Sequence, residues 1–394
     1  MKCIRMGLAL LLALMLFVPS FTSCGGEKSY QESQFSGTTT CLTPAQLAAD
    51  LDGASQADVI PLSGVNPLVC PEVPMSHTWS GGKLIFSDSP EKPTSKGKLY
   101  EDDGFSATGS ESNRVFVYHV NGQKKKMKFA ILLKNTSSTS GTLTLQKKGT
   151  AGPTTNYLYA GKVGFHRWLT STASAPVNVP AGDTVRLITD IETPAAENYL
   201  MHGIYDYTFD QSHKVTICAI DQRDKALKTC PRLSILPRDV HQRGTFPYAD
   251  KVYDSAAGYA IDTADGIVQF SLAYNTANDP YAVGVDATDG SPQILVGNYG
   301  ILYRMHLNTS ASDGQKLGFL FNPRGGQWGG AAWPVSGITP GGKFLVPPNA
   351  GSTGDNTNGA VAGKYNPGSS FTFWMQWMPT GGSNMPLRFL AVPY

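Results

Sequence analysis

The sequence predicts an all-β protein: two β-sandwich-like domains behind a short, disulfide-linked helical preface. Three observations carry this. The 394 residues include 42 Gly and 26 Pro, about a sixth of the chain against roughly an eighth in average usage, so turns are frequent and elements short. Apolar–polar alternation recurs from about residue 75 to the end, punctuated by Gly, Asn, Asp and Pro. Charged residues make up 16% and hydrophobic residues 41%. That balance disfavours a coiled coil, a helical bundle, a disordered chain and a multi-span membrane protein.

Residues 1–23 read as a secretory signal. Lys2 and Arg5 form a positive start, and Leu8 to Val18 is an unbroken apolar run that suits a signal core and is too short for a bilayer span. Phe21-Thr22-Ser23-Cys24 resembles a bacterial lipobox, which would place a lipid on Cys24. Phe21 departs from the Leu preferred there, and plain secretion is the alternative. Losing Lys2 and Arg5 leaves 30 basic and 30 acidic side chains. A neutral chain lacks the electrostatic footprint of a nucleic-acid binder.

Residues 24–40 are polar and aperiodic, a flexible tether. Residues 41–74 form the preface. Thr43-Pro44-Ala45-Gln46 reads as a capping box with Pro in the first turn, opening a helix that Gly53 ends. With Cys3 gone and Cys24 acylated, Cys41, Cys70, Cys218 and Cys230 remain. An even count in an oxidising compartment suggests two disulfides, and proximity favours Cys41–Cys70 and Cys218–Cys230. No Cys pair has the close spacing of a zinc site.

Residues 75–232 read as the first β-sandwich. Arg114 to Val120 is a strand, Asn121-Gly122 is a strong hairpin signal, and Lys126 to Leu133 is the expected partner. Gly141 to Leu145 alternates, Val177 to Leu187 reads as strand, turn, strand, and His213 to Ile220 closes the set. Pro231 to Pro237 marks the boundary. Residues 233–394 are the second β domain, with no Glu after Glu197. Ile301, Tyr303, Met305 and Leu307 share one face of a strand. Phe371 to Trp377 is apolar on both faces, as in a central or covered strand.

Catalytic signatures are sparse. There is no G-x-S-x-G or H-E-x-x-H motif, and the seven His are scattered. Gly337 to Lys343 approaches a phosphate loop, but Phe344 stands where a Mg²⁺-ligating hydroxyl is required, so no cofactor is expected. Asp262-Thr-Ala-Asp265-Gly266 and Asp286-Ala-Thr-Asp289-Gly290 read first as turns. Asp286 and Asp289 are also candidate calcium ligands. The Lys124–Lys128 run reads as a solvated strand edge or a contact for anionic polymers. Trp328 and Trp333 sit in a Gly-rich loop where a flat ring could stack on a ligand, or pack beneath the loop. Tyr299 joins them as a binding candidate.

Arg114 to Gly122, Gly149 to Tyr157 with Gly161-Lys162, and Gly290 to Tyr303 resemble stretches in a group of uncharacterised secreted β-rich proteins of Gram-positive bacteria. Some of these are labelled as carrying a copper amine oxidase N-terminal or stalk domain. The resemblance covers about residues 85–394 and implies a cell-surface location. This chain shows no stalk-type repeat, so copper chemistry is not implied.

The function expected is therefore non-enzymatic: a lipid-anchored envelope protein with a binding, adhesive or structural role. Its partner would be an envelope polymer, glycan or surface protein, with membrane contact through the lipid alone. The alternative is an Asp-dependent surface glycan hydrolase. Mass spectrometry of the mature protein is expected to find an N-terminal acylated Cys24, and an N-terminus elsewhere would remove the anchor.

Overall fold

The computed structural model describes residues 40–394 apart from 325, 336–341, 350 and 355. The signal segment, Cys24 and the tether up to residue 39 lie outside the described residues, as does most of the Gly337–Lys343 stretch. The fold is all-β, with strands in four sheets of eight, four, seven and five strands. No helix among the described residues is long and apolar enough to cross a membrane.

The eight- and four-stranded sheets form the first sandwich. Asn113–Val120 is buried at all eight positions, as expected for a strand covered on both faces. Val115 and Val117 turn toward Tyr100, Phe129, Ile131 and Ile217 of the four-stranded sheet. Phe116 and Tyr118 turn the other way, into the apolar cluster shared with the second sandwich.

The expected Asn121-Gly122 hairpin does not form. Asn113–Val120 belongs to the eight-stranded sheet and Met127–Asn135 to the four-stranded one. Asn121 is buried and shapes the crossing. Its Nδ2 donates to Lys125 O (3.0 Å) and Ala195 O (2.9 Å), and its Oδ1 accepts from Gln123 N (2.8 Å). Lys124, Lys125 and Lys126 are exposed on this arch, and Lys125 pairs with Asp221 at 3.0 Å. Val177–Val179 and Thr184–Ile188 likewise divide between the two sheets.

The seven- and five-stranded sheets form the second sandwich, around Phe319, Phe321, Phe373, Trp377 and Phe389. Tyr303, Met305 and Leu307 are fully buried within Leu302–Ser310, as the alternation predicts. Phe371–Trp377 lies between two partner strands. Only one of its faces is covered, however: Trp374 remains 45% exposed and its ring lies 4.0 Å from that of His306.

The sheets do not respect the boundary drawn at residue 232. Met75–Ser80 pairs with Asp250–Ser255 in the seven-stranded sheet. Arg243–Phe246, Ala282–Asp286 and Ser291–Leu295 extend the eight-stranded sheet instead. The preface also joins the second sandwich. Val59–Pro61 adds a strand beside Asn358–Tyr365, and helix α1 (Ala45–Gly53) packs Leu47 and Leu51 against Leu320, Val361 and Leu390. The capping box is absent, because Pro44 itself occupies the N-cap and no side chain bonds the first turn.

The expected disulfides are not formed, and all four cysteines are free thiols. The sulfurs nevertheless meet in the expected pairs. Cys41 Sγ and Cys70 Sγ are 2.7 Å apart, longer than the roughly 2.05 Å of a covalent bond. Burial, with Cys230 beside it, pushes the Cys218 thiol far up.

Helix α2 (Tyr157–Thr170) has no counterpart in the predicted elements. Gly161 and Gly164 weaken its helical signal, yet close packing requires them. A Cβ at Gly161 would strike the Gly381 carbonyl, and one at Gly164 would strike the His202 ring. Asn156 caps the helix by accepting from Tyr159 N at 3.1 Å.

A buried ion-pair network ties the two sandwiches together. Arg114 donates to Asp206 on the adjacent strand (2.7 and 2.8 Å). It also contacts Asp250 of the seven-stranded sheet at 3.1 Å, and donates to Ala249 O (2.7 Å) and Gly300 O (3.1 Å). Trp168 of α2 lies under the guanidinium and donates Nε1–H to Asp206 at 3.1 Å. Burial alone would favour losing the proton, but the two carboxylates overcome it and hold Arg114 charged. Removing one member of such a network leaves uncompensated buried charge. Arg114→Ala is expected to lower unfolding free energy by about 3–5 kcal/mol, read by denaturant titration.

Candidate functional site

The end of strand Leu84–Ser87 runs into a polar turn, Asp88-Ser89-Pro90-Glu91. This turn is held in place from several sides. Asp88 N donates to Gln242 O (3.0 Å) and Val120 N to Glu91 O (2.8 Å). Asp239 organises the facing segment: its Oδ1 accepts from Ser89 Oγ (3.0 Å) and His241 N (2.9 Å), and its Oδ2 from Glu91 N (2.9 Å). This is the side-chain-to-backbone bonding that makes Asp a turn residue.

The result is a carboxylate–imidazole–carboxylate chain. His241 Nε2 lies 2.8 Å from Glu91 Oε2, and Nδ1 lies 3.1 Å from Asp239 Oδ2. Asp239, then Glu91, hold the imidazolium, and its pKa rises to about 10. Burial works to raise the Asp239 carboxyl, but its bonds from His241 and the Glu91 backbone hold it well below the usual carboxylate range. Asp88 moves the opposite way: burial, reinforced by Glu91, pushes it well above that range. Its Oδ1 is buried without a hydrogen-bond partner, as is Gln242 Oε1. His119 lies close by, with Nε2 2.9 Å from Ser87 Oγ and Nδ1 3.0 Å from Pro90 O. Burial lowers it to about 4, so it stays neutral.

Asp88, Glu91, His241 and Gln242 line one side of a cavity of about 460 Å³, within the usual size of small-molecule sites. Phe86, Phe116 and Tyr118 of the eight-stranded sheet also line it but are themselves buried, and the more open rings are Tyr157 at the start of α2 and Tyr299. Tyr157 OH donates to Asn198 O (2.8 Å) and Tyr299 OH to Ser383 O (2.6 Å), which fixes both rings. Gly381 to Asn384 completes the wall, and a side chain at Gly381 would collide with the Tyr118 ring. The arrangement lines a ring-sized cavity with tyrosine rings and carboxyl groups.

The residues singled out in the sequence fall in different places. Tyr299 lines the cavity. Trp328 is fully buried, its ring 5.0 Å from Phe321, and its backbone pairs with Thr353, so it offers no stacking face. Trp333 is half-buried beneath the Lys343 ammonium at 4.5 Å. Asp286 is fully buried against Arg243 (2.9 Å) and accepts from Thr288 Oγ1 (2.6 Å). Asp289 accepts from Ser291 N at 2.9 Å, and Gly290 closes the turn at φ +76°. Both carboxylates are thus committed to turn geometry, and among the described residues no cluster of three or more His, Cys, Asp or Glu could hold a metal ion. Asp88, Glu91, Asp239 and His241 escaped sequence reading. Their local trace is an acidic turn after an apolar strand, plus an Asp and a His two positions apart, and neither is a motif.

No protein-family model matches this chain, and no curated protein does. Among solved structures, the CUB1-EGF-CUB2 domain of human MASP-1/3 is similar at TM-score 0.18 and 8% identity, covering 76% of this chain and 99% of that one. The PBSX exported protein XepA gives TM-score 0.13 and 14% identity, covering 87% and 96%. Pumpkin seed globulin gives 0.13 and 9%, covering 77% and 86%. At such scores these likenesses carry no functional argument.

The raised pKa of His241 has a defined consequence. Its stabilising contribution is complete below the ordinary value of 6.5 and is lost as pH rises through about 10. The melting-temperature gap between wild type and His241→Gln is therefore expected to be wide near pH 6.5 and to close toward pH 10. An imidazole NMR titration with a midpoint near 6.5 instead would refute the assignment.

Proposed function

We propose that this protein is a non-enzymatic glycan-binding protein of the bacterial cell envelope, with the aromatic and carboxyl-lined cavity as its ligand site. One observation carries the reading: five aromatic side chains and the carboxyl-bearing Asp88 and Glu91 line a single concavity of about 460 Å³. Sugar rings offer apolar faces for aromatic stacking and hydroxyls for such acceptors. An envelope location, with lipid on Cys24 as the membrane contact, follows from the signal-like N-terminus and from the resemblance to secreted Gram-positive proteins. Envelope polymers and surface glycoproteins are the corresponding partners. Among the described residues no Lys or Arg lines the cavity, which favours an uncharged or cationic ligand over nucleic acid.

A second reading has its own supporting observation. Burial and the neighbouring Glu91 push the Asp88 carboxyl well above the usual range, and glycoside hydrolases pair an acid of raised pKa with a second carboxyl group. In this reading Asp88 would protonate the leaving oxygen.

Pull-down on insoluble cell-wall and plant polysaccharides, with calorimetry on soluble fragments, tests both. Binding is expected to weaken about tenfold, or ~1.4 kcal/mol, in Tyr157→Ala and in Tyr299→Ala, with Trp333→Ala unchanged. Release of reducing ends that Glu91→Gln abolishes would replace the binding reading with the hydrolase one.

A further inference from the structure

We infer that the side chains of Lys251 and Asp279 condense to an intramolecular amide, a self-formed cross-link within the core. It would join the strand Asp250–Ser255 of the seven-stranded sheet to the loop leading into Ala282–Asp286 of the eight-stranded one. The inference is independent of the glycan cavity.

Isolation from water sets this pair apart. Lys251 Nζ lies 2.6 Å from Asp279 Oδ1, and both side chains are 0% exposed. Every other lysine–carboxylate pair among the described residues keeps both partners partly exposed. Trp79 packs over the ammonium at 4.2 Å and the Tyr303 ring lies at 5.2 Å. A nitrogen this close to one carboxyl oxygen stands about 3–3.5 Å from its carbon, the separation of a near-attack pair.

The surroundings fit an amide at least as well as two ions. Tyr303 OH donates to Asp279 Oδ1 (2.9 Å) and Oδ2 (3.2 Å), and accepts from Asn298 Nδ2 at 2.9 Å. Burial, then Asp279, push the Tyr303 hydroxyl far up, so it keeps its proton as a donor. Ala273 N donates to Oδ2 at 2.6 Å, from a backbone at φ +56° that is uncommon for a residue with a side chain. Two donors therefore converge on Oδ2, as in an oxyanion hole. Lys251 Nζ also donates to Pro280 O at 2.7 Å, an acceptor that the product N–H would keep. Condensation removes two desolvated charges, and burial already pushes Lys251 down toward the neutral amine, against the pull of Asp279.

The step balances without a co-reactant. A proton passes from the ammonium to Oδ1, leaving an amine and a carboxylic acid. The Nζ lone pair attacks Cγ, and Oδ2 takes the negative charge against Ala273 N–H and Tyr303 OH. Oδ1 receives a second proton from nitrogen and departs as water, while the double bond re-forms at Oδ2. One C–N bond forms, one C–O bond breaks, and nothing is oxidised or reduced. The link would close a loop that unfolding cannot open, which limits the freedom of the unfolded chain as a disulfide does.

Tryptic peptide mapping of the denatured full chain by mass spectrometry tests the inference. Trypsin cuts after a free lysine and cannot cut after an acylated one. The expected product is an uncut Gly244–Arg304 peptide, lighter by one water, with the Lys251–Asp279 link visible on fragmentation. Asp279→Ala should restore cutting after Lys251. Because that variant strands a buried lysine, Tyr303→Phe provides a second arm that keeps both reacting groups. There the link should accumulate at least about tenfold more slowly after synthesis. Full-mass Gly244–Lys251 and Val252–Arg304 from the wild type would overturn the inference and leave a plain ion pair. Loss of water with normal cutting after Lys251 would also overturn it, since the dehydration would then lie elsewhere. A link formed as fast in Tyr303→Phe as in the wild type would overturn the role given to Tyr303.

Discussion

Arg114 sits where the two sandwiches meet, fully buried and bonded to groups from both. Desolvating a guanidinium and two carboxylates is expensive, and such a network contributes little net stability compared with well-packed apolar side chains. Its effect is geometric. The planar fork can satisfy Asp206, Asp250 and the carbonyls of Ala249 and Gly300 only in one relative placement of the sheets. Arg304, half-exposed, adds a second hold on Asp250 at 2.7 Å.

That placement reaches the cavity directly. Gly300 O accepts from Arg114, and Tyr299 is the residue before it. Gly300 lies at φ +82°, and a Cβ there would meet the Phe116 ring at 3.0 Å, so a side chain would be both strained and crowded. The network therefore brings Tyr299 to the same concavity as Phe116 and Tyr118. On the other side, Asp239 bonds the turn that carries Asp88 and Glu91. Two polar hubs, one buried and one partly exposed, each position part of the lining. The aromatic rings and carboxyl groups they position come from segments spread between Phe86 and Asn384.

Much of the local structure was legible from residue order. The alternation at residues 301–307 located a strand and its buried face. The Asp-Gly pairs at 265–266 and 289–290 located turns, with both glycines at positive φ. Asn121-Gly122 shows the limit of such reading. The dipeptide marks a change of direction, yet the next strand joined another sheet because the Asn121 side chain bonded to Ala195, a residue 74 positions away. Helix α2 was hidden for a related reason. Gly161 and Gly164 count against a helix locally and are required by what packs on it. For Trp328, residue order left stacking on a ligand and packing beneath the loop both open, and the ring is core, with its backbone paired to Thr353.

The sequence by itself determined that this is an all-β chain, rich in turns and low in charge, because strand periodicity and turn chemistry act over a few residues. Only the tertiary structure decided which strands share a sheet, that the cysteine sulfurs meet as thiols, and where the aromatic-lined cavity lies. Those outcomes depend on contacts between residues far apart in the chain. The perturbed titration of Asp88 and His241 belongs with them, since it arises from burial and from partners that exist only once the sheets have come together.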